Sequence, residues 1–123
     1  MTKKLKISKA LSLRNEINEL LSTKDVLLKM YLVKTFNTVN DVLQSFDVVQ
    51  KEFLLENGTK REDGSYELKT KLENDEPNPK FKEYLALLDE EIELKIKPLP
   101  IKLFEKAGTS DIVFIELIDF IEF

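Results

Sequence analysis

The chain contains neither cysteine nor histidine. Without cysteine there are no disulfides, no thiolate metal sites and no cysteine nucleophile. Without histidine, the commonest general base, a frequent transition-metal ligand and the serine–histidine–aspartate triad also drop out. Glycine is scarce, with isolated residues at 58, 64 and 108, so no glycine-rich loop is available to cradle a phosphate. No apolar run approaches the roughly 20 residues that span a bilayer. The first apolar residues are scattered among lysines and do not form the core of a signal peptide. A soluble protein used inside a cell is expected.

The composition is that of a folded chain. Of 123 residues, 42% are hydrophobic and 34% charged, which predicts one domain over residues 1–123. The net charge of −4 gives no general attraction to nucleic acid. Lys3, Lys4, Lys6 and Lys9 form a locally basic start, over residues 1–7, that reads as a solubilising arm or a short edge strand.

The strongest periodicity lies between Val26 and Asn57. Leu32, Phe36, Val39, Leu43, Phe46 and Phe53 return to one side of a helix and make an apolar seam, interrupted only at Gln50. Such a helix would reach roughly 48 Å, so other elements must cover it. Ahead of it, Ala10, Leu13, Ile17, Leu20 and Leu21 predict a shorter amphipathic helix, with Ser8 as its cap. Thr23 or Asp25 is placed to cap the long helix, completing a helical hairpin over residues 8–57. Asn37 to Asp41 is poor in helix formers and predicts a loosened turn.

Asn57-Gly58 suits a left-handed helix end. Asp63-Gly64 predicts a two-residue hairpin turn, and Leu72 to Asn78 reads as an acidic linker. Asn78-Pro79 opens another helix with a Phe81, Tyr84, Leu85, Leu88 stripe. Ile92, Leu94 and Ile96 alternate with charges as a half-buried strand ended by Pro98 and Pro100, followed by an apolar connector. After Ser110, Glu116, Asp119 and Glu122 recur every three residues, which favours a closing helix packed on the long one. The class predicted is α+β, mostly α.

No residue set carries chemistry. Asp89, Glu90 and Glu91 diverge around any helix or strand, and Asp75-Glu76 lacks the alternating oxygen ligands of a calcium loop. Lys60-Arg61 reads as a solvated tip. No catalytic, cofactor-binding or metal-binding residue is assigned, and no small-molecule ligand or membrane contact is expected. The candidates for contact with another protein are Gln50 and Phe53, at the end of the seam left uncovered, and Phe120 and Phe123 in the apolar tail.

The order of these features resembles a group of small phage and prophage proteins. The resemblance rests on Ala10 to Arg14, Lys34 to Phe46, Glu52 to Gly58, Glu62 to Tyr66, Phe81 to Leu88, Glu91 to Leu94 and Asp111 to Phe123. It covers roughly residues 10–123 and departs at the first helix. The members have no known function, so the resemblance implies a viral or prophage origin, and the residues imply a protein that works by contact. Together they predict a non-enzymatic accessory protein, virion-associated or acting in head or tail assembly, in the host cytoplasm or the particle. Its partner would be another phage protein or a second copy of itself. The alternative is a phage-encoded acidic inhibitor or regulator of a host factor.

Overall fold

The computed structural model describes residues 2–106 and 116–122. In chain order its elements are strand β1 (Thr2–Lys6), helices α1 (Ile7–Leu20) and α2 (Val26–Asn57), and strands β2 (Thr59–Lys60) and β3 (Tyr66–Glu67). Helix α3 (Pro79–Leu88), strands β4 (Glu91–Lys95) and β5 (Leu99–Pro100), helix α4 (Ile101–Lys106), a 3-10 turn (Leu117–Phe120) and strand β6 (Ile121–Glu122) follow. The fold is α+β and mostly helical. The chain packs as two compact units, one of residues 1–43 with 91–123 and one of residues 44–90.

In the first unit β1 pairs antiparallel with β4, Lys4 opposite Glu93 and Lys6 opposite Glu91. Opposite charges facing one another across strands are favourable, so the basic start is matched by glutamates. Lys3 lies on the other face, its ammonium 5.4 Å from the Phe120 ring centre and 4.0 Å from Asp119. The chain passes from β1 straight into α1. Lys6 sits at the N-cap without capping the helix through its side chain, and Ser8 is inside the first turn, not before it. Burial of Ile7 next to the paired strand fixes this start and overrides the serine's capping preference.

The face of α1 predicted by spacing is the buried one: Ala10, Leu13, Ile17 and Leu20. Thr23 Oγ1 accepts the Asp25 amide at 3.2 Å, and Asp25 Oδ1 accepts the Leu28 amide at 2.9 Å, so Asp25 caps α2. Helix α2 continues through Asn37 to Asp41 without a break. Its weak local propensity is overridden there by Val39, fully buried, and by Asn40, whose Oδ1 accepts a hydrogen bond from Arg14.

The predicted connector after β4 is ordered instead as β5 and α4, burying Leu99, Leu103 and Phe104. Strand β5 pairs parallel with β6, Leu99 opposite Ile121. The closing helix is a single 3-10 turn among the described residues, and the first part of that prediction lies outside them. The Glu116 amide donates to both Glu16 carboxylate oxygens, at 3.0 and 3.2 Å, tying this turn to α1.

The second unit holds the latter part of α2, β2, β3 and α3. Gly58 follows α2 without a positive φ. A Cβ there would lie 2.5 Å from the Leu54 carbonyl oxygen and 3.1 Å from that of Glu67, so glycine is required for close approach and not for left-handed geometry. The Asp-Gly turn also differs from expectation. Arg61 N donates to Ser65 O at 2.7 Å and Gly64 N to Arg61 O at 3.1 Å, closing a three-residue loop with Gly64 at φ 88°. Asp63 keeps a negative φ, which excludes the two-residue type I′ turn.

The supposed linker repeats the same loop. Leu72 N donates to Glu76 O at 2.8 Å and Asp75 N to Leu72 O at 3.0 Å, with Asp75 left-handed at φ 68°. In both loops the residue before the left-handed one accepts a backbone amide. Asp63 Oδ1 takes that of Ser65 and Asn74 Oδ1 that of Glu76. Helix α3 then starts as predicted, with Asn78 Oδ1 accepting the Lys80 amide at 3.0 Å. Its inner face runs through Phe81, Tyr84, Leu87 and Leu88, while Leu85 is exposed.

The twin loops make a stability prediction, because aspartate bears a backbone strain that glycine does not. Asp75→Gly should raise the unfolding free energy by about 0.5–1 kcal/mol, and Gly64→Ala should lower it by about 1 kcal/mol. Urea denaturation midpoints at constant slope read both. A destabilised Asp75→Gly would show that the Lys71–Asp75 ion pair, 3.6 Å and exposed, matters more than the backbone.

Candidate functional site

Three of the four predicted contact residues are occupied within the protein. Gln50 Nε2 donates to the Tyr84 hydroxyl at 2.6 Å. Phe53 stacks on the same tyrosine, ring centres 6.1 Å apart and planes 26° from parallel. The polar break in the seam is thus an internal link to α3, and the seam does not stay open there. Phe120 is fully buried beneath the Lys3 ammonium. Phe123 lies outside the described residues.

The free apolar surface is elsewhere. Val26, on the first turn of α2, is 81% exposed, and Leu27, Met30 and Val33 are between 40% and 46% exposed. At roughly 100° per residue, Val26, Met30 and Val33 fall on the side of the helix opposite Leu28, Leu32, Thr35 and Val39, which are buried. Exposed single valines are ordinary, but four apolar side chains along two turns form a patch. Its charged neighbours on α2 are Lys29 and Lys34, and α2 carries no carboxylate before Asp41. The second unit also exposes Val48, Val49, Leu55, Leu72 and Leu85.

Sequence reading missed the α2 patch because the stronger inner seam masks the weaker outer one. The signal was present, since Val26, Met30 and Val33 are spaced by four and three.

Among the described residues, clefts with polar walls include two whose linings bear several cations. One of about 500 Å³ is lined by Arg61, Glu67, Leu68, Lys69, Thr70 and Lys71. Two of its cations are engaged, Arg61 Nε with Glu67 at 2.7 Å and Lys71 with Asp75. A tighter one of about 120 Å³ is lined by Tyr31, Lys34, Thr35, Thr38, Ile96 and Lys97. Among the described residues no group of three or more acids could hold a metal ion, and no helix is long and apolar enough to cross a membrane.

The Ser65 hydroxyl, 2.6 Å from Asp63 Oδ1, and the Ser65 amide hold the Asp63 carboxyl below the ordinary aspartate range. Arg61 adds a smaller attraction. Asp63 is fully exposed, and its carboxyl is engaged in its turn.

Two outcomes are expected. Tyr84→Phe should cost about 1 kcal/mol, the worth of one hydrogen bond, with the Phe53 stack retained; an unchanged denaturation midpoint would show Gln50 re-paired with water. For Asp63 the folded pKa is depressed, so its contribution is present above the unfolded pKa and lost as pH falls through the folded one. Carboxyl NMR titration should place Asp63 below a free aspartate, and Ser65→Ala should move it upward. An Asp63 titration indifferent to Ser65 would dismiss that hydrogen bond as the cause. Comparison with known families, curated proteins and solved structures finds no match for this chain.

Proposed function

We propose that the protein works by protein–protein contact, as an accessory protein of a phage or prophage, in the particle or in head or tail assembly within the host cytoplasm. The order of its elements supports the phage setting. The observation that supports binding as the activity is the apolar patch of Val26, Leu27, Met30 and Val33 on the outward side of α2.

The same surface indicates the partner's chemistry. Lys29 and Lys34 are the only charges on α2 before Asp41, so the complement is an amphipathic helix with an apolar stripe and acidic flanks. An acidic inhibitor of a host factor would instead present carboxylates on a continuous face, whereas the exposed apolar face of α2 is flanked by Lys29 and Lys34 and carries no carboxylate before Asp41.

The test uses the intact protein and a synthetic acidic amphipathic helix, with a lysine-substituted analogue of equal hydrophobicity. The acidic peptide should bind and the basic one should not. Met30→Glu with Val33→Glu should weaken binding by tenfold or more while leaving the circular dichroism spectrum unchanged, because both side chains are exposed. Equal binding of both peptides, or of neither, overturns the reading. Concentration-dependent dimerisation abolished by the same substitutions would assign the patch to a second copy instead.

A further inference from the structure

The tighter cleft of the first unit has a composition unlike the rest of this acidic chain. It is lined by Lys34, Lys97 and Tyr31, whose side chains carry two ammonium groups and a phenol, with no acidic residue in the lining. Among the described residues none of the three has a hydrogen-bond or ion-pair partner, whereas Lys3, Lys71 and Lys80 each face an acid. Thr35 and Ile96 are buried, at 5% and 3% exposure. The volume of about 120 Å³ is that of a small anion with a water or two, since a liquid water takes about 30 Å³.

The two threonines narrow the ligand. Thr35 Oγ1 donates its hydrogen to the Tyr31 carbonyl at 3.0 Å, and Thr38 Oγ1 donates to the Lys34 carbonyl at 3.1 Å. While its hydrogen is held by the helix carbonyl, each hydroxyl offers lone pairs to a ligand. The cleft therefore combines three donors suited to anionic oxygens with two acceptors suited to a proton on the ligand. Near neutral pH, inorganic phosphate carries such a proton, while sulfate and acetate carry none.

We propose that this cleft is a binding site for inorganic hydrogen phosphate. Lys34, Lys97 and Tyr31 bind its charged oxygens, and Thr35 and Thr38 accept from its P–OH group. The site shares Lys34 with the surroundings of the α2 patch, and Lys97, outside that helix, separates the two.

Titration of the protein with sodium phosphate at fixed pH and ionic strength, followed by amide NMR, tests it. Saturable shifts should centre on Tyr31 to Thr38 and on Lys97. Sulfate and acetate should bind at least tenfold more weakly. Lys97→Ala should reduce phosphate affinity about tenfold, as loss of one charge-assisted hydrogen bond does, and leave peptide binding intact. Tyr31→Phe should reduce it by a smaller factor. Sulfate binding as tightly as phosphate would overturn the assignment to hydrogen phosphate. Shifts that do not saturate, or that survive Lys34→Ala with Lys97→Ala, would overturn the site itself.

Discussion

The first unit depends on keeping one face of α2 dry. Leu28, Leu32, Val39 and Leu43 are fully buried on it, and Thr35 among them is nearly so. A buried hydroxyl without a partner costs several times what a made hydrogen bond gains. Thr35 avoids this by bonding to the Tyr31 carbonyl in its own helix, so the face needs no polar complement from elsewhere. What the unit buries beside it is accordingly aliphatic or aromatic: Leu13, Ile17, Leu94, Phe104, Leu117 and Phe120. Each fully buried side chain of this size contributes about 1.5–3 kcal/mol against exposure.

Side-chain oxygens accepting backbone amides recur where the chain turns. Asp25 takes the Leu28 amide, Asp63 that of Ser65, Asn74 that of Glu76, Asn78 that of Lys80, and Glu16 that of Glu116. In a chain with three glycines this is a physical necessity. Where the backbone cannot be relaxed by glycine, its orphan donors are satisfied by short polar side chains. Asp25, Asp63 and Glu16 are thus parts of turns, caps and ties between elements.

Elements with strong periodicity were legible in the residues. The α1 face, the α2 seam, the Asn78 cap and the Ile92–Leu94 alternation all repeat at the spacing of the structure they form. What was not legible depended on partners distant in sequence. The Ser8 cap gave way to burial of Ile7, the linker to a second hairpin loop, and the connector to β5 paired with β6. Gln50 is the sharpest case at the candidate site. As a polar residue in an apolar seam it reads as an opening, and its meaning changes once Tyr84, far along the chain, supplies a hydroxyl. The cleft residues were equally silent, because Lys34 and Lys97 are ordinary lysines until the fold brings Tyr31 and two threonines beside them.

The pairing of β1 with β4 carries a consequence for how the chain acquires its shape. Residue 6 lies opposite residue 91, so all of residues 44–90 belong to the stretch of chain between the two paired strands. Closing so long a loop costs entropy that only the completed ladder and core repay, and such non-local contacts slow folding. During synthesis the first strand emerges well before its mate exists, with its backbone donors and acceptors exposed to water or to other chains. Its lysines, matched later by Glu91 and Glu93, repel other copies of the same strand through that interval. The charges that align the finished sheet thus also act as gatekeepers before it forms.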